Sequence, residues 1–210
     1  MTLITLFFTA FIIGFSGAMM PGPLLTVNIN ESYRRGIKAG PMLVLGHGIL
    51  ELALIIGLTL GLQEMLIQPA FKRSVALFGG LVMFWMGWSM AKDAWLGRVS
   101  LQLEARGDKR GMSPILSGIV VSLSNPFWII WWATIGLTYV TQAMQKGLLG
   151  LTVFFTGHIL ADLTWYSAIS LAVVSGKKLL SEQVYRRILV VCGVFLLGMA
   201  GYFIYSATTF

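Results

Sequence analysis

His47 stands four residues before Glu51, and His158 stands four residues before Asp162. On a helix, positions four apart share one face, so each histidine is expected beside its own acid. Both pairs fall near the centre of long apolar stretches, where a charged side chain costs about 2.5–3.5 kcal/mol on insertion scales. Ionisable groups at such depth mark functional sites by default. Three chemistries suit them. The pairs can relay protons, since histidine titrates near neutral pH. They can ligate a divalent metal with two nitrogens and two oxygens if they face each other. Or each histidine can hydrogen-bond its acid and glue helices together. Glu51 and Asp162 are also candidates to carry protons or cations, or to anchor a cationic group of a substrate.

Two sequence breaks lie in comparable places. Pro21-Gly22-Pro23 sits inside the first apolar stretch and Asn125-Pro126 inside the fourth. Proline removes an amide donor and clashes with the preceding turn. The freed backbone groups must then face protein or a wet cavity rather than lipid. Asparagine as N-cap followed by proline is a common helix start. Each break therefore either kinks a helix or begins a half-helix whose first amides, around Leu24–Thr26 and Phe127–Trp128, can bind an anion. Trp128, Trp131 and Trp132 share a face just beyond the second break, suited to packing, lipid contact or stacking on an ammonium group. Asn28 and Asn30 are expected only to cap the first span. Gly57, Gly61, Gly193, Gly198 and Gly201 are expected to allow close helix packing.

Composition dictates what must position these residues. Of 210 residues, 57% are hydrophobic and 11% charged, against roughly 45–50% and about 25% in soluble proteins. The mean hydropathy is +0.82. Disorder and a soluble globule are both disfavoured; an all-α integral membrane protein fits. Apolar stretches at roughly 3–27, 41–62, 74–95, 114–141, 147–174 and 188–208 each reach the length of about 20 residues that spans a bilayer. The N-terminus lacks the basic lead of a signal peptide and is read as the first span. Twelve of fifteen basic residues fall in the odd-numbered connections: Arg34, Arg35, Lys38; Lys92, Arg98, Arg106, Lys109, Arg110; Lys177, Lys178, Arg186 and Arg187. The positive-inside rule then puts those connections in the cytoplasm and both termini outside. The net charge of +7 is thereby accounted for without nucleic acid.

The chain also repeats itself. Arg35-Gly36 recurs as Lys146-Gly147, and Gly46-His47 with Glu51 recurs as Gly157-His158 with Asp162, while Arg73, Gly79 and Gly87 recur as Arg187, Gly193 and Gly201. Three spans per half is an odd number, so the second half must be inverted, a construction found in secondary transporters with the substrate site at the interface of the repeats. The expected organisation is a first three-helix repeat over 1–95, a cytoplasmic linker over 96–113 and a second repeat over 114–210, with helices 1 and 4 interrupted. A lone Cys192 excludes an internal disulfide or thiolate cluster. No phosphate-binding loop points to direct ATP drive, and no cofactor is called for. A haem held by the two histidines and a membrane-embedded hydrolase are the remaining alternatives outside transport.

Gly17-Ala18-Met19-Met20-Pro21-Gly22-Pro23, then Arg34-Arg35-Gly36 with Gly40, then Gly46-His47 with an acid four on, resembles the lysine exporter (LysE) family of amino-acid translocators, and Asn125-Pro126 resembles that family's second-half Asn-Pro motif. The resemblance covers the whole chain and is most specific over residues 14–61. It implies export of amino acids from a bacterial cytoplasm across the inner membrane, driven by the proton gradient, in a homodimer. The wider superfamily includes divalent-metal exporters. Two positions depart from the pattern: Phe127 replaces the family's usual lysine, and Glu51 replaces its usual aspartate. The expectation is therefore a non-enzymatic, secondary-active exporter of amino acids or similar amphoteric solutes. Pro21, Gly22, Pro23, Asn125 and Pro126 would hold substrate, and Glu51, Asp162, His47 and His158 would couple protons or cations as the halves rock. A divalent-cation exporter using the same four side chains is the alternative.

Overall fold

The computed structural model describes residues 1–20, 22–66, 68–98, 112–176 and 181–208. Pro21, most of the expected linker, and the basic residues Arg106, Lys109, Arg110, Lys177 and Lys178 lie outside the described residues. The elements are α1 (Leu3–Ala18), α2 (Pro23–Arg35), α3 (Ala39–Gly57) continuing through a π-helical turn (Leu58–Leu62), α4 (Gln63–Leu66), α5 (Pro69–Trp95), α6 (Pro114–Leu123), α7 (Pro126–Trp131) continuing through a second π-helical turn (Trp132–Gly136) into α8 (Leu137–Met144), α9 (Gly147–Gly176) and α10 (Glu182–Ser206). Four of these are long and apolar enough to cross a membrane. The bent pairs α1–α2, at 82°, and α6 with the helix from Pro126 to Met144, at 65°, bring the spans to six if each pair is one span.

Burial fits a bilayer as solvent. On α1, Ile4, Phe8 and Ile12 point outward while Leu6, Ala10, Gly14 and Ala18 face the protein. On α3, Leu45, Ile49, Leu52 and Ile56 are exposed while His47 and Glu51 are buried. The outside is apolar and the polar groups lie within, the reverse of a water-soluble helix. The chain is a multi-pass membrane protein.

Three helix pairs carry most of the packing: α1 along α9, α3 along α6, and α5 along α10. Exchanging the spans of one half for those of the other maps α1–α9 onto α6–α3 and returns α5–α10 to itself. Glycine sets each seam. A methyl group built on Gly46 would overlap the Ile115 carbonyl, and one on Gly118 the Leu43 carbonyl. Gly157 is similarly close to the Phe7 carbonyl, and Gly87 and Gly193 lie against each other's carbonyls. The turns preceding α3 and α9 hold Gly36 (φ 85°) and Gly147 (φ 63°), both in a region that L side chains rarely adopt.

Several expectations change. The first span does not end at 27: α2 runs to Arg35, because Asn28, Glu31 and Ser32 face protein rather than lipid. Asn28 is not a cap. Its Nδ2 donates to the Tyr166 carbonyl at 3.0 Å, and its Oδ1 accepts from Ser170 Oγ at 3.0 Å and from Ser32 Oγ at 3.3 Å. This buried cluster pins α2 to α9. α5 and α10 begin at Pro69 and Glu182 rather than 74 and 188, since a helix can carry charged turns beyond the hydrocarbon. Gly198 and Gly201 meet nothing within 4 Å, so they do not tighten a seam within this chain, and Gly61 serves the bend at φ 104° instead of packing.

Candidate functional site

Both breaks begin half-helices. Gly22 precedes α2 in extended conformation with Pro23 as its first residue. Asn125 caps α7, its Oδ1 accepting from the Phe127 amide at 3.1 Å, with Pro126 first in the helix. The two breaks are neighbours: a methyl group on Gly22 would lie 3.8 Å from Asn125 Nδ2. The expected amide sets are narrower than the sequence suggests. Thr26 N–H already donates to the Gly22 carbonyl at 3.1 Å and Phe127 N–H to Asn125, which leaves the first-turn amides of Leu24 and Trp128, two residues that line the cavity.

The two histidine–acid pairs meet between α3 and α9. His47 Nε2 lies 3.0 Å from Glu51 Oε1, and His158 Nε2 lies 3.2 Å from the same oxygen. Asp162 Oδ2 stands farther off, 3.6 Å from His158 Nε2 and 3.9 Å from His47 Nε2. Each histidine thus stands beside its own helix's acid, as expected, but His158 reaches Glu51 more closely than it does Asp162. The extra methylene of glutamate carries Glu51 to the centre, where both imidazoles reach it, while the shorter Asp162 stays at the edge.

Ser122, which sequence reasoning left out, and the three tryptophans complete the ring. His47 Nδ1 is 2.7 Å from Ser122 Oγ; with a proton on Nε2, a neutral His47 accepts the serine hydroxyl at Nδ1. Trp128 Nε1 and Trp132 Nε1 donate to Glu51 Oε1 at 3.1 and 3.0 Å. Trp131 donates to Ser16 Oγ at 3.3 Å and lays its ring on His158, with centroids 4.9 Å apart. All three indoles are buried, which removes lipid contact as their role. Their i, i+4 spacing was the available signal, because a buried indole N–H needs an acceptor.

Glu51 Oε1 is therefore crowded with N–H groups, while Glu51 Oε2, Asp162 Oδ2 and His158 Nδ1 are buried without a hydrogen-bond partner. Buried acceptors in that condition are costly unless a ligand supplies donors. Glu51, Asp162 and His158 line a cavity of about 50 Å³, together with Gly22, Leu24, Asn125 and Trp128. That is room for a few water molecules. The sequence-predicted residues Gly22, Asn125, His47, Glu51, His158 and Asp162 thus surround one space; Pro23 and Pro126 sit beside it as helix starts. His47, Glu51 and Asp162 can each offer a ligand atom, all within 4.8 Å of one another, a set able to hold a divalent cation.

Comparison with known proteins agrees with this architecture. The chain is 29% identical over 206 residues to the "Chemotactic transduction protein ChpE" of Pseudomonas aeruginosa, covering 95% of this chain and 97% of that one. It is 25% identical over 203 residues to the "Putative amino acid efflux protein YcgF" of Bacillus subtilis, covering 96% of each. No solved structure gives a significant match. The family profile described as LysE type translocator matches residues 15–207, and the chain belongs to that family of membrane translocators.

Proposed function

We propose that the protein exports an amino acid or similarly small amphoteric solute from the cytoplasm, by proton-coupled alternating access. One observation carries this reading: the residues of two helix starts and the buried acids Glu51 and Asp162 line the same cavity. An amphoteric solute has the complementary ends. Its carboxylate meets the free amides of Leu24 and Trp128 at the positive ends of two helices. Its ammonium meets Glu51 Oε2 and Asp162 Oδ2. The two histidines beside those acids are placed to take or supply protons as the site changes sides. The efflux assignment carried by the Bacillus subtilis relative's name agrees with it.

The inverted arrangement of the two halves belongs to the same proposal, supported by the exchange symmetry of the three helix pairs. So does placement in the inner membrane with both termini outside, supported by the uneven distribution of basic residues. Cysteines introduced over 98–110 should be labelled only from the cytoplasmic side; labelling from outside reverses the topology. For the mechanism, protein reconstituted in vesicles with an imposed pH gradient should move solute. The double substitution Glu51→Gln, Asp162→Asn should abolish that movement; transport persisting at the wild-type rate would overturn the carboxylate role.

A second reading, a divalent cation as the exported substrate, is favoured by the convergence of His47, Glu51 and Asp162. Metal retained in stoichiometric amount through purification, and lost on His47→Ala, would support it over the amino-acid reading.

A further inference from the structure

The cavity is lined by two chemically different sets of residues. One is formed by His47, Glu51, His158 and Asp162 with Ser122 and Asn125. The other is formed by Met20 before α2, Leu25 on it, Phe127 on α7, Met83 and Met199. Those two methionines are all that α5 and α10 contribute to the lining. No lysine or arginine lines the cavity among the described residues.

We propose that the exported solute is an α-amino acid with an uncharged, apolar side chain of leucine or methionine type, and that the methionine–phenylalanine set selects it. This rests on the amino-acid reading above and adds the substrate class. The ammonium takes the Glu51 and Asp162 carboxylates and the carboxylate takes the helix amides, so the side chain is left to Met83, Phe127 and Met199, which pack together. A lysine or arginine side chain directed there would be stripped of water with no counter-charge, and an acidic one would find no cation. An apolar side chain replaces water against Met83, Met199 and Phe127 without such a penalty. Methionine is also the side chain best able to reshape around a ligand, having three rotatable bonds and no branch. That matters because the cavity, at about 50 Å³, must widen to admit a leucine-sized group. Met199 is only partly buried, whereas Met83 is 1% exposed.

The test is apparent thermal stability of the full-length protein in detergent, since a ligand that prefers the folded state raises it with occupancy. L-leucine, L-methionine, L-lysine, L-glutamate and Zn²⁺ are compared at matched concentrations. The expected result is a shift with leucine and methionine at concentrations about tenfold below those needed with lysine or glutamate, the scale on which apolar pockets discriminate. Lysine equal to or better than leucine overturns the apolar class while leaving an amino-acid exporter intact. A shift with Zn²⁺ alone overturns the substrate class and the amino-acid reading together. The variant Met199→Glu should gain a response to lysine and lose that to leucine. Should it fail to fold, Met199→Gln is read instead: a leucine response weakened about tenfold supports the proposal, and an unchanged one overturns it.

Discussion

Trp132 donates its indole N–H to Glu51 Oε1 at 3.0 Å, joining the second half-helix to the buried acid of α3 across 81 positions of sequence. Trp132 is wholly buried, so the bond is shielded from competing water. A hydrogen bond to a charged group contributes about 1.5–3 kcal/mol, more than one between neutral groups.

Trp132→Phe should therefore lower stability by about 2 kcal/mol. Trp131→Phe, whose lost acceptor is the neutral Ser16 hydroxyl, should lower it by about 1 kcal/mol. Thermal unfolding in detergent reads both. In a Glu51→Gln background the Trp132 effect should shrink while the Trp131 effect stays, the signature of direct coupling in a double-mutant cycle. Equal losses in both backgrounds would remove the bond's special role.

Asn28 fastens the first half-helix to α9 through Tyr166 and Ser170, with Ser32 of its own helix bonded to both Asn28 and Ser170. Asn28→Ala removes its three hydrogen bonds while the Ser32 and Ser170 hydroxyls still bond each other at 2.7 Å, and should cost about 1–3 kcal/mol. Ser170→Ala should then cost less than it does with Asn28 in place, because the two share one network. Additive losses, measured by the same unfolding assay, would show that the groups act separately.

The helix seams predict opposite outcomes for one kind of substitution. Gly46→Ala places a methyl group on the Ile115 carbonyl, which is backbone and cannot swing aside; overpacking of this kind costs about 1–3 kcal/mol. Gly201→Ala meets open space and should be neutral or raise stability by up to about 1 kcal/mol, the helix preference of alanine over glycine. A loss at Gly201 in the isolated protein would mean that another surface covers it.

Much of this arrangement could be read from residue spacing. Helical periodicity placed His47 with Glu51 and His158 with Asp162, and proline chemistry marked the starts of α2 and α7, because both are local properties. What spacing does not contain is reach across helices. His158 comes closer to Glu51 than to its own Asp162, 3.2 against 3.6 Å, a comparison that exists only once α3 and α9 are side by side. Asn28 looks like a cap until Tyr166 and Ser170 arrive from 138 and 142 positions away. Apolar length also underestimates helices whose polar turns are covered by protein, as α2 shows.

The glycine seams bear on how such a molecule can move. Each close pair joins one helix from the first half to one from the second, with backbone touching backbone at Gly46, Gly118 and Gly157 and across Gly87–Gly193. Such contacts have no side-chain rotamers with which to adjust, so each pair behaves as a stiff two-ply strut. A cycle that drew the first half away from the second would have to peel all three struts open at once. Tilting one strut against another leaves every seam closed, and the joints between struts, where α2 leans on α9 through Asn28 and α7 on α3 through Glu51, become the bearings of the machine.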